Sequence, residues 1–305
     1  MNMKWKKLGK IFEPDGSVEW MKTHAMIPLA EHLSGNLYKI YFSPRDSRNR
    51  SHLAWVIIDI HQPTKIIDYS KEPLLSPGRL GSFDESGVVA TSLLNHDGKK
   101  YLYYIGINLG VTVPLRNSIG LAISHDNGNT FEKISEGPII DRTHKEPYFT
   151  ATPEVMYENG LFKMWYLSCI KWDATPEGPK HYYHLKYAES HNGIDWNRQG
   201  IVAIDFKNAD EYAIGVPHVI KENNIYKMWY CYRGLKYRIG YAESHDGVKW
   251  IRKDEQMEIT VSDTGWDSEM IEYPNLFNHQ QKRYMLYNGN GYGKTGFGLA
   301  VLESA

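Results

Sequence analysis

Short apolar runs alternate with short polar turns along the whole chain, and the pattern returns about every 60 residues. The clearest copies are Pro153-Glu-Val-Met-Tyr-Glu-Asn-Gly-Leu-Phe-Lys-Met-Trp-Tyr166 and Pro217-His-Val-Ile-Lys-Glu-Asn-Asn-Ile-Tyr-Lys-Met-Trp-Tyr230, which match in register. Looser copies run from Pro28 to Tyr41, Thr91 to Tyr104 and Pro274 to Tyr287. Half a repeat later come Leu121-Ala-Ile-Ser-His-Asp-Asn-Gly128, Tyr187-Ala-Glu-Ser-His-Asn-Gly193 and Tyr241-Ala-Glu-Ser-His-Asp-Gly247, with a fourth copy at Leu299-Ala-Val-Leu-Glu-Ser304. Each unit therefore reads as four strands: an apolar run, a polar turn such as His96-Asp-Gly98, an aromatic run, an alternating strand, a Ser-His-Asp-Gly turn and a last strand opening with Trp or Phe. Four-stranded units repeated around an axis predict an all-β, five-bladed β-propeller, one domain spanning residues 1–305.

The last unit lacks its fourth strand. The missing one is supplied by Trp5-Lys-Lys-Leu-Gly-Lys-Ile-Phe12, which resembles the fourth strands at Trp196–Val202 and Phe131–Gly137. This segment is expected to pair with the strand around Gly296–Leu302, closing the ring and removing an exposed edge.

Composition narrows the function. Aromatic content is 13%, with 22 Tyr and 9 Trp; strand packing absorbs most of these rings, and the remainder suit sugar stacking. A net charge of −1 offers no basic surface for a phosphate backbone, so nucleic acid is not an expected partner. No apolar run reaches the ~20 residues of a membrane span, and none follows the basic Met-Asn-Met-Lys-Trp-Lys-Lys start as a signal peptide would require. Cys169 and Cys231 are read as buried thiols in a cytoplasmic protein. No phosphate-binding loop, nucleophile elbow or Cys-x-x-Cys pair implies a cofactor. His181 and His184 have a spacing open to metal, but are read as flanks of the third unit's long loop. Oligomeric state stays open.

Topology assigns faces. Residues at the starts of first strands and in loops after second strands converge on one mouth of the axis, and the Ser-His-Asp-Gly turns fall on the other. Those turns, with His125, His191 and His245, are read as backbone-satisfying structure. Two residues before each anchor stand Met26, Val89, Ala151, Gly215 and Glu272, so only the fifth unit places a carboxylate there. A carboxylate buried alone is costly, which marks Glu272 as functional. Further upstream lie Asp84, Glu85, Glu211, Glu269 and, in unit three, Glu146. His24 takes this place in unit one, and Glu154 and His218 follow the anchors of units three and four. The loops after second strands add Arg45, Asp46, Trp172, Arg233 and Asn288.

The anchors and turns together resemble the five-bladed propeller glycosidases of glycoside hydrolase families 32, 43, 68 and 130, and related uncharacterised proteins of polysaccharide gene clusters. The resemblance spans nearly the whole chain. Glu272-Tyr-Pro-Asn-Leu-Phe277 is similar to the Glu-Cys-Pro-Asp-Leu-Phe motif that carries the acid in family 32, although it stands here in the fifth blade, where that family has it in the fourth. Asp84 resembles the auxiliary aspartate of a neighbouring blade. The aspartate that those families carry at the start of blade one is replaced here by Met26 and His24. Ser124-His-Asp-Asn-Gly-Asn-Thr-Phe131 also fits the Asp box of sialidases, a structural turn.

The resemblance implies an enzyme acting on a glycosidic bond, a hydrolase or a transferase or phosphorylase of related chemistry, with a carbohydrate in the axial pocket. In that reading Glu272 is the acid and Asp84 or Glu211 the base or nucleophile. Arg45 and Asp46 bind hydroxyls or an anionic substituent, and Tyr212, Tyr273 and Trp172 stack on the sugar. His24, Glu85, Glu154, His218, Arg233, Glu269 and Asn288 complete the binding set. The alternative is a non-catalytic propeller that binds a glycan or a protein.

Overall fold

The computed structural model describes residues 2–303, and Ser304, the last residue of the fourth turn signature, lies outside the described residues. The fold is nearly all β. Its only helices among these residues are single turns at Asp254–Gln256 and Asn290–Gly293.

The strands gather into groups that follow the sequence repeats, four antiparallel groups of four and a fifth of five, in which Met257–Glu258 lies parallel on the outer edge. The first comprises Thr23–Ser34, Leu37–Arg45, Ala54–Asp59 and Ile66–Tyr69, and the second Val88–His96, Lys99–Leu109, Leu115–Ser124 and Glu132–Lys133. The third runs through Thr150–Glu158, Leu161–Thr175, Gly178–Ser190 and Asn197–Ile204. The fourth holds Ala213–Glu222, Ile225–Arg233, Tyr237–Ser244 and Ile251–Arg252, and a single parallel bridge, Tyr183 to Ala213, links it to the third. The fifth holds Glu272–His279, Lys282–Asn288 and Phe297–Leu302, and Met3–Phe12 joins it antiparallel, with Trp5 opposite Leu302 and Phe12 opposite Phe297. The two ends of the chain thus share one sheet, as the strand pattern predicts.

The first strand of each group abuts the first strand of the next, and that of the fifth group abuts that of the first. These neighbours splay apart, so the N–H and C=O groups facing the gap find no strand partner and must be satisfied another way. Side chains do this at every junction. Ala90 N–H donates to Ser43 Oγ (3.2 Å) and Val155 N–H to Ser92 Oγ (3.0 Å). Val216 N–H meets Thr152 Oγ1 at 3.2 Å, His218 Nε2 meets the Leu276 carbonyl at 3.0 Å, and Ile27 N–H meets Asn288 Oδ1 at 2.8 Å. Apolar layers fill the space between sheets. Trp165 and Trp229 are fully buried there, and burying one such side chain contributes about 2–3 kcal/mol.

The Ser-His-Asp-Gly turns are structural. Asp126 accepts the Thr130 and Asn129 amides, and Asp246 those of Val248 and Lys249. Gly193 and Gly247 each offer a carbonyl to the preceding group, taken by Tyr103 OH (3.1 Å) and Trp165 Nε1 (2.7 Å). Gly193 has φ +72° and a Cβ there would stand 2.7 Å from the Tyr103 hydroxyl, so any side chain would be both strained and crowded.

Candidate functional site

A cavity of about 300 Å³ opens along the axis, lined by all five first strands. Its floor follows from the anchor prolines. Proline has no N–H, so the ladder breaks at each one, and the strand pairing slips there. The residue before each proline is left-handed: Ile27 (φ +50°), Thr152 (+42°), Val216 (+49°) and Tyr273 (+58°). All four line the cavity. Such a φ strains a β-branched residue, by about 1–3 kcal/mol. In the second group Thr91 replaces the proline, Ala90 is not left-handed, and Val89 lines the cavity instead.

The wall joins apolar, aromatic and cationic groups. Phe149, Tyr183 and Tyr237 present rings, and the hydroxyls of Tyr183 and Tyr237 are hydrogen-bonded to one another. Arg45 donates from Nη1 to Asn49 Oδ1 (3.0 Å), and its Nη2 lies 3.5 Å from Met26 Sδ. Arg233 donates to Tyr292 OH (2.6 Å) and sits over the rings of Tyr212 and Tyr237, each at 5.4 Å. Burial, reinforced by Arg233, pushes His181 down to about 4, so its ring is neutral near pH 7. His24, beside Arg45 and Lys294, is likewise held down to about 4, chiefly by burial.

Glu272 lies behind this wall, against Cys231, Arg233 and Tyr273. It is wholly buried, and neither carboxylate oxygen has a hydrogen-bond partner. Burial pushes its carboxyl well above the usual range. The Arg233 charge, the Tyr292 backbone and the Tyr273 hydroxyl oppose the shift only in part, the last two without reaching hydrogen-bond geometry. Burial thus favours its protonated form.

The other two carboxylates read as catalytic from sequence stand elsewhere. Asp84 is ion-paired to Lys133 Nζ (2.6 Å) and accepts Tyr104 OH (3.1 Å). Glu211 holds Arg252 through both oxygens (2.6 and 2.9 Å). Neither lines the cavity. Both belong to a recurring latch, in which an acid on the approach to a first strand grips a cation from the fourth strand of the same group. Glu146 does so with Arg198 (3.0 Å) and accepts Tyr166 OH, and Asp267 does so with Lys7 (2.7 Å) and accepts Tyr287 OH. A residue repeated in four groups for the same contact closes loops. It does not mark a unique site.

Several proposed ligand-binding residues are also committed to structure. Asp46 organises its loop by accepting the Arg48 and Arg50 amides and pairing with Arg50 and His52. Glu85 accepts Gly81 N–H and Asn108 Nδ2, and Glu269 pairs with Lys236 on the surface. Glu154 and His218 lie 3.2 Å apart within the junction between groups three and four, and Asn288 spends its amide on Ile27, Ala25 and Gly296. Trp172 and Tyr212 stand just outside the lining, packed on His181 and Arg233. Of the sequence candidates, Arg45, Arg233 and Tyr273 line the cavity and Glu272 backs it.

The sequence reading passed over Tyr183, Tyr237 and His181. Third strands start at the same mouth at which second strands end, so their first residues belonged among the candidates. His181 and His184 do not share a site: three residues apart on a strand, they turn to opposite faces, and His184 bonds Asp205 at 3.0 Å.

Comparisons with known proteins agree with this architecture. No family model matches the chain. An uncharacterised protein of Mycobacterium tuberculosis, Rv1502, is 44% identical over 303 residues, covering 99% of this chain and all of that one. Among solved structures, a glycoside hydrolase superposes with a TM-score of 0.75 at 17% identity, covering all of this chain and 93% of that one. A structure from glycoside hydrolase family 130, described as mannoside phosphorylases that include hydrolases of β-1,2 mannosidic linkages, gives 0.71 at 12% identity over 99% and 94%. At these identities the likeness is one of fold, the all-β propeller of glycoside hydrolases.

Proposed function

This chain belongs to the family of the uncharacterised mycobacterial protein Rv1502, and from that premise we propose that it is a single-domain, five-bladed propeller that takes a carbohydrate in its axial cavity and acts on a glycosidic bond. The ring of abutting first strands and the shared terminal sheet support the five-bladed reading. The observation that carries the activity is Glu272: a lone carboxyl behind the axial wall, buried without partners and pushed by that burial toward its protonated form. Such a group is matched to protonating a departing sugar oxygen. Aromatic walls then hold the ring, and the acceptor oxygen comes from solution, because the lining holds no carboxylate to form a covalent intermediate.

Turnover of oligosaccharides by the wild type and Glu272→Gln tests this. Loss of the proton donor lowers the rate by about 10²-fold or more. The loss shrinks for nitrophenyl glycosides, whose leaving oxygen needs no proton. Equal rates in the two proteins would remove Glu272 from the mechanism.

One observation favours a second reading, a binding propeller without catalysis. Glu272 does not reach the cavity surface in this conformation. In that case wild type and Glu272→Gln bind the same sugar equally and turn over nothing.

A further inference from the structure

We propose that the axial cavity selects a sugar bearing a carboxylate, gripped by Arg45 and Arg233; this rests on the reading of the cavity as the sugar site. The charge around the cavity is one-sided. Among the described residues its lining includes two arginines and no Asp or Glu. Glu272, just behind, makes no hydrogen bond to either arginine, and His181 is a neutral ring, so no carboxylate of the described residues is paired with the two guanidinium groups.

Three other half-buried arginines contrast with these two. Arg198, Arg252 and Arg283 each hold a carboxylate within the protein. Arg45 and Arg233 hold only neutral groups: an amide, a thioether and a phenol. A partly desolvated guanidinium without a counter-charge carries a cost that an anion recovers on binding.

Arg233 is also preorganised. Its guanidinium lies over the rings of Tyr212, Tyr237 and Tyr292 and donates once, to Tyr292 OH, which restricts its orientation. Its Nε is buried and makes no hydrogen bond. Two more buried polar atoms without partners, Asn117 Oδ1 and His181 Nδ1, belong to the same lining. Buried polar atoms in a folded protein are nearly always satisfied, so their gathering around one cavity marks where a polar ligand's atoms sit.

The rest of the lining decides what carries the anion. A free inorganic anion would use the arginines and leave Phe149, Tyr183, Tyr237 and Tyr273 uncovered. A pyranose presents a C–H face to such rings and hydroxyls to the unpartnered amide and imidazole. At about 300 Å³ the cavity is at the small end of ligand pockets and suits one ring. The planar fork of an arginine matches a carboxylate bidentately.

Calorimetric binding of D-glucuronate and D-galacturonate, beside D-glucose, D-galactose and inorganic phosphate, tests the proposal. At least one uronate is expected to bind about tenfold or more tightly than its neutral parent, and Arg233→Gln or Arg45→Gln to remove most of that preference. Folding of each variant is checked by its melting curve. Arg233→Lys, which keeps the charge and loses the fork, gives a second and milder case that should bind the uronate more weakly than wild type. Uronates that bind no better than neutral sugars, or that ignore both arginines, overturn the carboxylate proposal and leave the sugar site standing. Phosphate that binds as tightly as the best uronate overturns it in favour of a free anion. Failure of every sugar, acidic or neutral, overturns the reading of the cavity as a sugar site, and this proposal with it.

Discussion

Lys7, on the first strand of the chain, places its Nζ 2.7 Å from Asp267 Oδ2 on the approach to the last group, and Asp267 in turn accepts Tyr287 OH at 3.0 Å. The pair ties the fourth strand of the last sheet to the loop that starts it. Asp267 is nearly fully buried and Lys7 about three-quarters so, and separating them leaves an acid without compensation. Lys7→Met is expected to lower stability by about 2–3 kcal/mol in urea melts, the low end for a buried pair because Lys7 keeps some solvent. Deleting residues 1–12 should destabilise every group together in one cooperative transition. A truncated protein that melts like the full chain would contradict closure by this strand.

The repeated latches predict a different outcome for the other two acids. Asp84→Asn should cost about 3 kcal/mol through the stranded Lys133, and Glu211→Gln less, because Arg252 keeps its pair with Asp254. Ligand binding by the folded fraction should be unchanged. A large loss of binding or turnover without loss of stability would return these residues to the site.

Glu272 makes stability depend on pH in a defined direction. Its carboxyl is raised in the folded protein, so the unfolded chain ionises first as pH rises above the usual value of 4.5. The stability associated with this group is therefore present in acid and is lost as pH climbs toward the folded value. Glu272→Gln has no such titration. The variant should match the wild type near pH 4 and become the more stable of the two through neutral pH, read from paired melts. A constant difference across that range would mean that Glu272 is ionised and paired in the fold.

Cys169 and Cys231 are free and buried, and burial pushes the Cys169 thiol up to about 11 and the Cys231 thiol higher still. Native protein should react slowly with thiol reagents, and denatured protein should yield two thiols. A count of zero would show a disulfide that this arrangement excludes.

The repeat, its strands, the polar turns and the closure by Trp5–Phe12 were all legible in the sequence. Strand alternation, turn residues and strand-opening aromatics act over a few positions and recur along the chain. What the carboxylates do was not legible residue by residue. Asp84 and Glu211 look as available as Glu272 until Lys133 and Arg252 arrive, each some forty residues or more further along, and Lys7 reaches Asp267 from the opposite end of the chain. One signal was present: Asp84, Glu146 and Asp267 stand at the same distance before their anchors, as structural repeats do and a unique site does not. The cavity surface was decided by backbone geometry. A bulge before each anchor proline turns Ile27, Thr152, Val216 and Tyr273 toward the axis. Strict alternation cannot foresee that turn, because one extra residue inverts the face of every side chain beyond it.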